Sequence, residues 1–189
     1  VGRSHANIAL IFRLKGDYKP ALKYYKDALT QFEIVGDKAL KAHALTGIAT
    51  TYSKMGQTQK AIEFMSRSLT ELEGSDNVYF EINAIASLAN LYYEAEDFTK
   101  AKEYAELSIE KSNKIEYLGG KLEGLLLKGN VLSKEGKYEE TLLICEEVLS
   151  ITENVELAQY NAYAYTLMGW TYQEKGDYDN ALKYYKEGI

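Results

Sequence analysis

Apolar residues in this chain of 189 residues recur in helical stripes. Leu45, Ile48, Ala49 and Tyr52 stand at i, i+3, i+4 and i+7, one face of a helix. Gly56 follows as a left-handed stop. A second stripe then opens in Ala61, Ile62, Met65, Ser68 and Leu69. The two-helix pattern repeats. Lys15–Lys26 returns as Lys175–Lys186 with ten of twelve positions identical, at an offset of 160, or four steps of 40. In phase with that step run Ala9, Ala49, Ala89, Gly129 and Gly169, then Phe12, Tyr52, Tyr92, Leu132 and Tyr172, then Ala21, Ala61, Ala101, Thr141 and Ala181. The column Leu29, Leu69, Ile109, Leu149 and Ile189 keeps the same beat.

A period of this length predicts stacked helix hairpins, each burying its apolar face against its neighbours. The expected units are 1–36, 37–76, 77–116, 117–156 and 157–189, a single array. Breaks fall at Gly36-Asp37, at Gly74-Ser75-Asp76-Asn77, between Ser112 and Gly120, and at Thr152-Glu153-Asn154. Asp17 is placed to cap the second helix of the first unit, with Pro20 in its first turn, where the missing N–H costs nothing. That is the sole proline, as long helices require. The alanine and glycine columns mark where two helices cross closely. The aromatic column fills the space beside them, and most of the 17 tyrosines read as core with a hydroxyl at a polar rim. Two departures stand out. Glu96 replaces the stop glycine of the third unit, and the fourth unit carries Lys128, Thr141 and Cys145 at core positions.

Charge and chemistry narrow the function. A net charge of −6 leaves no basic face for phosphates, so no nucleic-acid partner is expected. No run approaches the ~18 apolar residues of a membrane span. One cysteine and two histidines are too few for a common zinc site, and no cofactor or metal is expected. His5 occupies a core column, His43 has no nucleophile at helical spacing, and the glycines stand singly, so no phosphate loop forms. Glu139, Glu140, Glu146 and Glu147 read as a solvated helix face. The expectation is a protein that is not an enzyme. A lone thiol fits the cytoplasm and does not exclude a periplasm. Residue 1 falls inside a helix without an initiator Met, and residue 189 falls part-way through another. A piece of a longer protein is therefore expected, with ends open to end-to-end self-association.

These residues resemble the tetratricopeptide repeat: Leu45, Ile48-Ala49, Tyr52, Ala61, Met65 and Ser68 in the second unit, and Tyr165, Met168-Gly169, Tyr172, Ala181 and Tyr185 in the fifth. The period of 40 exceeds the family's usual 34. In this it is similar to kinesin light chains, spindle-orientation adaptors, bacterial peptide-pheromone receptors and bacterial signalling input domains. The resemblance implies an all-α fold, a right-handed α-solenoid of about five helix hairpins. It also implies a concave groove, lined by the first helices, that binds a peptide of a partner protein.

Three columns of the first helices are candidates for that groove. They are Arg3, His43, Asn83, Glu123 and Tyr163; then Leu10, Thr50, Asn90, Asn130 and Trp170; then Arg13, Ser53, Tyr93, Ser133 and Gln173. Asn90 and Asn130 carry both donors and acceptors and suit a clamp on peptide backbone, unless they are merely solvated. Trp170 and Tyr163, i and i+7, share a face. With Leu126 and Leu127 they form an apolar patch, or Trp170 packs on a further unit. The expected peptide-binding residues are Asn83, Asn90, Tyr93, Leu126, Asn130, Tyr163, Trp170 and Gln173. No basic clamp for a C-terminal carboxylate assembles from Ala6, Thr46, Ala86 and Leu126 or from Asn7, Gly47, Ser87, Leu127 and Leu167. Two other roles stay open, an oligomerisation module acting through the uncapped ends and a sensory input domain of a bacterial signalling protein.

Overall fold

A computed structural model describes residues 1–74, 76–153 and 157–189. Its described residues form ten α-helices and no strand. Helices α1 (Gly2–Leu14) and α2 (Tyr18–Val35) are followed by α3 (Lys38–Lys54), α4 (Thr58–Leu72) and α5 (Val78–Glu94). Then come α6 (Phe98–Lys114), α7 (Leu118–Lys134), α8 (Tyr138–Thr152), α9 (Ala158–Glu174) and α10 (Tyr178–Glu187). The even-numbered helices start forty residues apart throughout, and so do the odd-numbered ones from α3 onward. Ser75 and Asn154, expected in two of the breaks, lie outside the described residues. The chain divides into two compact units, Val1–Asp97 with α1–α5 and Phe98–Ile189 with α6–α10.

Within a hairpin the turn is set by one backbone position. Gly16, Gly56, Gly136 and Gly176 hold φ between 70° and 82°. Glu96 adopts the same left-handed conformation at φ 60°. A side chain there is strained by roughly 1–2 kcal/mol, partly offset by the entropy glycine would lose on folding. Glu96→Gly is therefore expected to stabilise the chain by about 0.5–1 kcal/mol in urea unfolding, against no gain if the strain is relieved by other means.

The capping aspartates divide by what sits three residues on. Asp37 accepts from the Leu40 N–H at 3.0 Å, and Asp177 accepts from the Asn180 N–H at 3.1 Å and from its carboxamide at 2.6 Å. Asp17 stands at the expected N-cap but accepts no such bond. The residue three on is Pro20, which has no N–H to give. The bonds from Asn180 hold the Asp177 carboxyl below its usual range. A carboxyl depressed in the folded state adds stability above its unfolded pKa, and that stability is lost as pH falls. Asp177→Ala should therefore lower the melting temperature at pH 7 more than Asp17→Ala does, and the difference should shrink as the carboxyl is protonated in acid. Equal effects at pH 7 would refute the cap.

Packing follows the columns. In the first unit Ala9, Ala21, Ala49, Ala61 and Ala89 are fully buried. Beside them Phe12 stacks on Tyr24 at 5.6 Å and Tyr52 on Phe64 at 5.5 Å, each aromatic of a first helix meeting one twelve residues later. Between hairpins the Tyr25 ring of α2 lies directly over Gly47 of α3, where any Cβ would strike it. His5 is half-buried with its ring 5.8 Å from Tyr24.

The second unit has its own core of Leu122, Leu125, Leu126, Leu142, Val148, Leu167 and Met168 around Cys145. Tyr172 stacks on Tyr184 at 5.3 Å. Gly124 lets α7 approach the backbone of α6 at Ala105. The departures of the fourth repeat, α7 and α8, are each accommodated. The Lys128 ammonium meets Glu106 at 2.8 Å, and the buried Thr141 hydroxyl donates to the Lys137 carbonyl at 3.0 Å. Cys145 is fully buried as a small apolar residue.

Candidate peptide-binding surfaces

In the first unit the odd-numbered helices open a cavity of about 550 Å³. Its walls come from Arg3, Ala6 and Asn7 of α1, from Ala42, His43 and Thr46 of α3, and from Phe80, Asn83, Ala84 and Ser87 of α5. Phe32 of α2 and Leu72 of α4 form its floor. Floor and upper walls are apolar and buried, since Phe32, Leu72, Ala6, Ala42 and Ala84 are each under 5% exposed. The rim is polar: Arg3, Asn7, His43 and Asn83 are exposed. The periodicity explains this alternation. The apolar stripe of each first helix turns inward, and the residues next to it reach the cavity edge. Two local hydrogen bonds order the wall, Thr46 with Ser68 across α3 and α4 at 2.9 Å and the Ser87 hydroxyl to the Asn83 carbonyl at 2.8 Å.

The expected residues of this unit separate. Asn83 lines the cavity. Asn90 is exposed, but its carboxamide donates to the Ala86 carbonyl at 3.1 Å, one turn back on its own helix. Tyr93 is half-buried and lies outside the cavity lining. Arg3 and His43 were visible in the sequence as one column with Asn83. Their mixed charge hid the fact that, of the three candidate columns, this is the one whose residues line the hollow.

In the second unit the expected apolar patch does not form. Leu126 and Leu127 are 6% and 4% exposed, and Leu126 belongs to the core with Leu122, Cys145 and Met168. This corrects the placement of Leu126 on an open surface: its helix angle points it at α8 and α9. The exposed surface there is amphipathic instead. Asn130 donates to the Tyr163 hydroxyl at 2.8 Å, tying α7 to α9. The Lys134 ammonium sits 4.6 Å from the centre of the Trp170 ring, a cation–π contact on the half-buried indole, which packs on this unit's own core. Gln173 accepts from the Tyr185 hydroxyl at 3.2 Å and lines a shallow hollow of about 510 Å³ with Tyr178, Ala181 and Leu182. Its column does not mark one open face: Ser133, one period earlier, is buried against Thr171 at 3.3 Å.

Among the described residues no three of His, Cys, Asp and Glu gather as a metal ion would need. None of the described helices is long and apolar enough to cross a membrane.

The family model of the tetratricopeptide repeat matches residues 1–73 and 122–189, well over half of the chain. The chain belongs to the tetratricopeptide repeat family. Its fold is accordingly an all-α solenoid of helix hairpins, and solved tetratricopeptide proteins share it. The crystal structure of BtubC (BKLC) from P. vanneervenii is 17% identical with a TM-score of 0.84, over 98% of this chain and 77% of that one. A Podosopora anserina putative kinesin light chain is 15% identical with a TM-score of 0.79, over 98% and 92%. The Rap conjugation gene regulator of the plasmid pLS20, solved in complex with the Phr* peptide, is 15% identical with a TM-score of 0.78. That match spans 98% of this tetratricopeptide chain and 51% of the regulator. At these identities the likeness is one of fold. No curated protein matches the chain.

Proposed function

We propose that this tetratricopeptide chain is a non-catalytic scaffold that binds a peptide segment of a partner protein on the exposed sides of its odd-numbered helices. The observation that carries the reading is the hollow of the first unit, where α1, α3 and α5 present exposed polar side chains around an apolar floor. A surface already formed before binding costs little ordering when a guest arrives. The Rap regulator offers a precedent in the same fold, having been solved with a peptide. In this reading Asn83 and Asn90 hold peptide backbone on the surface of the first unit, and Asn130 does so separately on that of the second. Tyr163 and Trp170 supply the aromatic contacts that such surfaces favour.

Screening an array of soluble peptides and titrating the best binder would test this. Asn83→Ala, Asn90→Ala and Asn130→Ala are each expected to weaken binding by about 1–3 kcal/mol by leaving peptide groups unpaired. Unchanged affinity in all three would overturn the clamp. No saturable binder would overturn the scaffold reading.

A second reading rests on α10, where Tyr178 and Leu182 are 71% and 56% exposed beside the hollow at Gln173. Such a face suits self-association. A mass that rises with concentration in sedimentation would favour it, and a constant monomer would exclude it. The sensory-input role shares its ligand with the leading reading and would show as a peptide-dependent change in an attached output domain.

A further inference from the structure

We propose that the cavity of the first unit binds a small amphipathic acid, an aryl or alkyl carboxylate of about ten carbons. The site goes beyond peptide binding and does not depend on it. Its volume of about 550 Å³ falls among those that enclose whole small ligands. The floor of Phe32 and Leu72 and the wall at Ala42 are buried and apolar, and Phe80 stands at the wall 61% exposed. An aromatic ring left in water beside an unfilled apolar hollow gains by covering a guest.

The charge around the hollow selects the guest's head. Arg3 and His43 lie on the rim, and no Asp or Glu lines it, although the chain holds 28 acidic residues and a net charge of −6. Neither Arg3 nor His43 is paired with a carboxylate among the described residues. Nearby Lys41, by contrast, is held by Glu71 at 2.7 Å. A guanidinium offers a planar fork that fits a carboxylate with two bonds. The exposed carboxamide of Asn7 adds a donor beside it. These features are confined to the first unit. One and two periods after Asn83 their column carries Glu123 and Tyr163, and at the places of Phe32 and Leu72 the later units carry Ser112 and Thr152. A carboxylate head on an apolar body that fits within the hollow is the chemistry the residues complement.

The full chain would be titrated calorimetrically with 1-naphthoate and decanoate, with 1-naphthamide as the uncharged control. The expected result is one-to-one binding of the acids, with the amide at least ~tenfold weaker. Arg3→Gln, an exposed change that leaves the core intact, should erase the preference for acid over amide. Ser87→Trp, which fills the hollow from α5, should abolish binding while the thermal melt stays cooperative. The proposal is overturned if amide and acid bind equally, if Arg3→Gln keeps the preference, or if neither acid saturates. Acid binding by a chain that takes no peptide would sustain this site and overturn only the scaffold reading. Peptide binding without acid binding would do the reverse.

Discussion

Gly47→Ala is expected to lower the unfolding free energy by about 1–3 kcal/mol, the usual cost of overpacking a filled interior. A Cβ at residue 47 would stand 2.6 and 2.7 Å from Cζ and Cδ1 of Tyr25. Real Cβ atoms do not approach a ring so closely, so something must move. Tyr25 is only 3% exposed, so its ring turns only by displacing packed neighbours. Alanine would gain up to ~1 kcal/mol in helix propensity, which the collision exceeds. Gly169 supplies the control. Its Cβ would meet Tyr185 at 2.7 Å, but that ring is half-exposed and can swing away. Gly169→Ala should therefore change stability by less than about 1 kcal/mol in either direction. Urea titrations of both variants decide the matter. A Gly47→Ala chain as stable as the parent would show that α2 and α3 do not meet as described.

The second large effect concerns Cys145. Burial, with the neighbouring Glu146 adding to it, pushes its thiol from 9.0 up to about 12. Three pH units lower the reactive thiolate population by about a thousandfold at neutral pH. The thiol should therefore react with a disulfide reagent at pH 8 at least about a thousandfold more slowly in the folded chain than in urea. Equal rates would mean that α8 does not hold Cys145 in the core. The same shift has a consequence for alkaline stability. The folded state disfavours the thiolate, so this contribution is complete below pH 9 and is lost as pH rises from there toward 12. A Cys145→Ala chain should lack that alkaline loss.

The hairpin plan is legible in the residues because helix formation is local. A stripe at i, i+3, i+4 and i+7 and a left-handed stop depend only on neighbours within a turn or two. The beat of Ala21, Ala61 and Ala101 thus predicts helices that start where α2, α4 and α6 do. Even the irregularities carry through. Glu96 takes the glycine conformation, and Cys145 and Thr141 are buried where their columns put them.

The binding surface is a different matter. Leu126 and Asn83 sit on the same kind of helix, both beside an apolar stripe, yet one is core and the other edges a cavity. Ser133 and Gln173 share a column, yet one is buried and the other exposed. A column states an angle about a helix axis. What lies at that angle depends on the volumes of side chains on other helices: a tyrosine met by a glycine at Tyr25 and Gly47, a phenylalanine at Phe32 leaving a hollow above it. Pro20 silencing the cap at Asp17 shows that even a local motif turns on one missing hydrogen. Order, length and spacing of the helices were thus written along the chain, because short-range hydrogen bonding and periodicity suffice for them. Which faces close into core and which stay open was decided only in three dimensions, because burial is a property of pairs of surfaces far apart in sequence.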